Sequence, residues 1–129
     1  MRILIDTQIL IWAADADHPD VLPCDARRLI EDHSNRLFFS AVSIWEVALK
    51  ARKLDIDPRQ FRHALLDAGY EEVAVTGQHA AAVDLLPRIH ADPFDRLLVA
   101  QSQIAGLTLL TADATLGRYP GSILAVERS

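Results

Sequence analysis

Short apolar runs alternate with longer amphipathic stretches along the 129-residue chain, and that rhythm limits the fold more than any single motif. Residues 3–5, 37–39, 73–75, 107–110 and 123–126 read as strands. The first, fourth and fifth are apolar without interruption, as strands covered on both faces are. Between them, Asp57-Pro58 and Asp92-Pro93 each set a capping acid before proline at the first helical position. Gly106 ends the helix that Asp92 starts. Asp25 is placed to cap a helix over 26–33. Ser43 is placed to open another, with Ile44, Val47, Ala48, Ala51 and Leu54 on its apolar face. Strands alternating with helices pair in parallel and are covered on both sides. One three-layer α/β/α domain over residues 1–129 is therefore expected, around a central parallel sheet of about five strands.

Half of the residues are hydrophobic and 24% are charged, which excludes a disordered chain. The lone cysteine, Cys24, excludes a disulfide within this chain and a cysteine zinc site. No apolar run reaches the ~18–20 residues of a membrane span, and Asp6 interrupts the start where a signal peptide needs continuity. A soluble, cytoplasmic protein is expected. The net charge of −5 argues against coating of nucleic acid by bulk charge.

Ligands of such sheets bind beyond the carboxyl ends of the strands, so the polar residues placed there matter most. Asp6 directly follows the first strand, and Asp113 holds the matching place after the fourth. Each also serves as a helix cap in the plainest reading. Glu46 completes Ser43-Ile44-Trp45-Glu46, a capping box, yet it also starts a polar stripe with Lys50 and Lys53. Asp92 and Asp95 are two acids at one helix start, one more than capping needs. Every carboxylate has its own structural role available, but all four of Asp6, Glu46, Asp95 and Asp113 converge on one sheet edge. Like charges that close call for a cation. A ligand set of oxygens alone suits Mg²⁺, with Mn²⁺ also plausible, rather than zinc. Carboxylate-held ions of that kind hydrolyse phosphodiesters.

The stretches ILIDTQILIW, SAVSIWEVALKARKL, HADPFDRLLVAQS and LLTADATLGRY, within residues 1–12, 40–54, 90–102 and 109–119, resemble the PIN-domain ribonucleases, especially the VapC-type toxins of bacterial toxin–antitoxin pairs. The resemblance assigns Asp6, Glu46, Asp95 and Asp113 as the acidic metal site. It further implies metal-dependent endoribonuclease activity on RNA, a homodimer and a cognate antitoxin that silences the enzyme. One position departs from the pattern: relatives of this subgroup usually carry histidine two residues after the first aspartate, where this chain has Gln8. Glutamine can hydrogen-bond there but cannot titrate near neutrality.

Thr7 and Thr111 flank the two strand-end aspartates as supporting residues. Lys50, Arg52, Lys53 and Arg96 are candidates for the RNA backbone. Trp12 and Trp45 read as core or dimer-contact residues, and His90 as a loop histidine near the site. Two other functions compete. A phosphatase with a strand-end nucleophile wants a second acid at position 8, which is Gln. A binding module without catalysis has no use for four unpaired acids.

Overall fold

The computed structural model describes residues 1–127; Arg128 and Ser129, part of the single-domain reading over 1–129, lie outside the described residues. Those residues form one parallel sheet of β1 (Arg2–Ile5), β2 (Arg36–Ser40), β3 (Glu71–Val73), β4 (Thr108–Thr111) and β5 (Ile123–Ala125), in the order β3-β2-β1-β4-β5. The helices are α1 (Thr7–Ala14), α2 (Cys24–Glu31), α3 (Ala41–Leu49), α4 (Ala51–Leu54), α5 (Pro58–Asp67), α6 (Gly77–Ala82) and α7 (Pro93–Ala105). None of them is long and apolar enough to cross a membrane.

Side chains alternate across a strand, so a strand buried on both faces must be apolar at every position. β1 shows this: Ile3 and Ile5 join a cluster with Phe39, Leu110, Ala26 of α2 and Phe61 and Leu65 of α5. Leu4 points the other way, into a cluster with Phe38, Leu109 and Leu98 and Val99 of α7. β1 and β4 therefore match their sequence reading. β5 does not, because it is an edge strand whose Leu124 remains 38% exposed.

β3 begins two residues earlier than expected, on Glu71 rather than Val73. It forms the opposite edge, where charged residues suit the exposure and deter further strand pairing. Arg36 and Arg62 hold Glu71 and Glu72 in ion pairs of 2.8 Å each.

The proline-led helices match their sequence reading. Asp57 accepts from Arg59 N at 2.9 Å, Asp92 accepts from Phe94 N at 2.8 Å, and Gly106 closes α7 at φ +67°. The other two starts shift. α2 begins at Cys24 after Pro23, which places Asp25 inside the first turn, paired with Arg28. α3 begins at Ala41, capped by Ser40, whose hydroxyl accepts from Val42 N at 3.1 Å. Ser43 thus lies within the helix, and the capping box with Glu46 does not form. Ala48 and Leu49 face outward, and the helix breaks at Lys50 instead of continuing to Leu54.

The strand order reverses at β1, which has β2 on one side and β4 on the other. At such a switch point the connections leave in opposite directions and open a crevice beyond the strand ends. Asp6 and Asp113 follow the two strands that flank it.

Candidate metal centre at the carboxyl edge

A cleft of about 650 Å³ lies over this switch point, and Asp6, Glu46, Asp92, Asp95 and Asp113 all line it. Four segments deliver them: the end of β1, the middle of α3, the start of α7 and the turn after β4.

Asp6 is 5% exposed and caps α1, its Oδ1 accepting from Ile9 N at 2.9 Å. Its Oδ2 accepts from the Thr111 hydroxyl and, at 3.3 Å, from Ala112 N. The Thr111 hydroxyl in turn accepts from Asp113 N at 3.0 Å, so one buried threonine links the two strand-end aspartates. Thr7 donates to Ser43 Oγ at 2.8 Å and ties α1 to α3 beneath the cleft. Both threonines are thus occupied in positioning the protein's own groups.

Glu46 is 8% exposed. Its Oε2 accepts from Lys50 Nζ at 2.8 Å, one helical turn on. Its Oε1 is buried without a hydrogen-bond partner among the described residues. A buried carboxylate oxygen left unpaired is costly, and such an atom in a cleft lined with acids suits a cation. The donor set around it is oxygen-rich, which fits a hard divalent ion. On these two observations the residues fit the group.

The electrostatics agree. Burial raises the pKa of Asp6 by more than its hydrogen bonds lower it, and the charge of Glu46 adds to the rise. Asp95 is pushed up to about 7, first by burial and then by the charge of Asp92, with Asp6 and Glu46 contributing. Burial also acts on Asp113, but the Thr115 N–H and His90 outweigh it and hold that carboxyl below its usual range. Lys50 is raised, chiefly by its hydrogen bond to Glu46.

His90, which the sequence places near the site only as a loop histidine, sits inside the cluster. Its Nε2 lies 2.8 Å from Asp113 Oδ2 and 3.6 Å from Asp95 Oδ2. One imidazole nitrogen and one oxygen from each acid fall within 4.8 Å of one another. The signal available was short-range: His90 precedes the capping Asp92 by two residues, and its Nδ1 accepts from Asp92 N at 3.0 Å. Asp92 caps α7, which leaves Asp95 as the acid of that pair not committed to the cap.

The basic candidates divide. Lys50 and Lys53 line the cleft, whereas Arg52 and Arg96 do not. Arg96 gives its guanidinium to the carbonyls of Val83 and Pro87 at 3.0 and 3.2 Å, so it braces the loop that carries His90. Trp12 is half-buried, packed on the core with a place on the cleft wall. Trp45 is 58% exposed, its ring edge-on to Phe94 at 5.1 Å, so the core reading fails for it.

The chain is similar in structure to one from VapBC2 of Rickettsia felis, solved bound to a DNA fragment of its promoter, with a TM-score of 0.71, 16% identity and full coverage of both chains. It is similar to a chain of a toxin–antitoxin complex from Klebsiella pneumoniae at a TM-score of 0.70 and 20% identity, covering 95% of this chain and 96% of that one. DNA-bound VapBC from Salmonella typhimurium follows at 0.64 and 17%, with coverages of 97% and 98%. No curated protein matches in sequence. A family model described as the PIN domain matches residues 3–122, nearly the whole chain, and the chain therefore belongs to the PIN domain family.

Proposed function

We propose that this protein is a divalent-cation-dependent endoribonuclease, with Mg²⁺ or Mn²⁺ as the ion, that acts as the toxin of a toxin–antitoxin pair. The observation that carries the reading is the buried, unpaired Oε1 of Glu46 in a cleft that also takes Asp6, Asp95 and Asp113. Asp6, Glu46, Asp95 and Asp113 hold the ion between them. When bound, the ion supplies Lewis acidity and charge neutralisation at a phosphodiester. The chain's own groups do the rest. The Thr111 hydroxyl keeps Asp6 and Asp113 aligned, and Lys50 keeps Glu46 from swinging away. Lys53 lines the same cleft as a cation for the RNA backbone.

The solved structures it resembles include toxin–antitoxin complexes, which supports an antitoxin as partner. A homodimer belongs to the same reading. Trp45 and Leu49, one turn apart on α3 and 58% and 63% exposed, supply apolar surface for a protein partner.

Cleavage of a labelled RNA panel with Mg²⁺, Mn²⁺ or chelator, by the wild type and by Asp6→Asn, tests the activity. Metal-dependent cuts that vanish in the variant are expected. Cuts that persist in Asp6→Asn would reassign the site. If metal binds yet no RNA is cut, the protein is a binding module instead. Co-expression with the neighbouring open reading frame should yield a stable complex at moderate salt, and failure to co-purify would count against the antitoxin.

A further inference from the structure

His90 stands among the acids of the cleft, and three hydrogen bonds fix it there. Its backbone N–H donates to the hydroxyl of the buried Tyr119 at 2.8 Å. Its Nδ1 accepts from Asp92 N at 3.0 Å, and its Nε2 meets Asp113 Oδ2 at 2.8 Å. The loop behind it is anchored where Arg96 reaches the carbonyls of Val83 and Pro87. A ring nitrogen that accepts an N–H carries no proton of its own, so the proton of the neutral imidazole sits on Nε2. That N–H points at Asp113 and lies 3.6 Å from Asp95. A protonated ring nitrogen has no free lone pair, so it cannot ligate a metal while the Asp92 bond is made.

We propose that His90 is the positioning residue of the metal centre: a fixed N–H donor that holds Asp113 beside Asp95, and not itself a ligand. The acids crowded at this sheet edge repel, and without the His90 donor Asp113 keeps only its bond from Thr115 N to hold it beside Asp95. The capping bond of Asp92 sets the helix, and the N–H two residues after His90 sets the histidine's tautomer. One turn of chain therefore arranges both the acid and its donor. The Asp113 carboxylate is gripped from both ends, Oδ2 by His90 and Oδ1 by Thr115 N at 2.9 Å.

The inference rests on the metal-centre reading above, and Mn²⁺ alone serves as the probe. Mn²⁺ binding is followed by electron paramagnetic resonance in the wild type, His90→Gln and His90→Leu, with thermal melts to establish folding. Glutamine keeps an N–H donor of similar reach, and leucine keeps bulk without one. His90→Leu should weaken Mn²⁺ binding about tenfold or more, as the loss of an outer partner of metal ligands does. His90→Gln should stay within about threefold of the wild type. Pulsed spectra of the Mn²⁺-loaded wild type should show no coupling to a directly bound imidazole nitrogen. Such a coupling, lost in His90→Leu, would make His90 a ligand and overturn the proposal. Unchanged affinity in a folded His90→Leu would overturn it too, as would equal weakening in both variants. Absence of Mn²⁺ binding in the wild type would instead bring down the metal-centre reading itself.

Discussion

Two groups of carboxylates in this molecule differ in what surrounds them. At the β3 edge, Glu71 and Glu72 each receive an arginine, and the hydrogen bonds from Arg36 and Arg62 hold both below their usual pKa range. At the carboxyl edge of β1 and β4, burial drives Asp6 and Asp95 upward, and Lys50 is the only lysine or arginine within hydrogen-bonding reach of Glu46 among the described residues. The same chemistry is neutralised in one place and left in deficit in the other. Exposed pairs such as those of β3 contribute little to stability. A buried deficit is different, because desolvated like charges oppose folding until a counterion arrives. On the proposed reading, the cleft is where the fold gives up stability in exchange for a cation.

The largest expected effect of breaking this contrast is on chemistry. Asp6→Asn or Glu46→Gln should lower RNA cleavage on the order of 10³-fold, the loss of several kcal/mol of metal-based catalysis. Gel assays with labelled RNA measure it. Next comes stability. Asp95→Asn should stabilise the metal-free protein at pH 8 by about 1–3 kcal/mol, measured by urea unfolding.

The pH dependence has a definite sign. Asp95 lies near 3.8 when unfolded and about 7 when folded, so between those values the native state holds the extra proton. Stability of the metal-free protein should therefore fall as pH rises from about 4 to 7. The raised Asp6 acts in the same direction. Asp113, lowered in the fold, acts oppositely, its contribution fading only as pH drops below its ordinary range. Thermal melts in chelator across pH 4–8 read the slope, and Asp95→Asn should flatten it.

Thr111→Val removes the donor to Asp6 and the acceptor for Asp113 N at once, and should destabilise by about 1–2 kcal/mol. The smallest effect belongs to β3. Arg36→Ala should leave cleavage unchanged and shift the melting temperature only slightly, with the difference vanishing at high salt.

The fold was largely legible because burial on both faces writes a continuous apolar run, as Ile3-Leu4-Ile5 does. Proline after an acid marked α5 and α7 for an equally local reason. β3 was misplaced because its edge position is stabilised by ion pairs to Arg36 and Arg62, 35 and 10 residues away, which leave no alternation to read. The acids were visible as residues following strands or opening helices. Glu46 was obscured by a capping box that Ser40 pre-empts. His90 read only as a loop histidine near the site because its contact with Asp113 spans 23 residues, and only the folded loop brings the two together.

The most direct test is the thermal stability of the wild type and Asp95→Asn at pH 8, with and without Mg²⁺. If the cleft is an acidic deficit awaiting a cation, Mg²⁺ should raise the melting temperature of the wild type by several degrees and leave Asp95→Asn nearly unmoved. A wild type indifferent to Mg²⁺, or a variant that responds equally, would contradict the account.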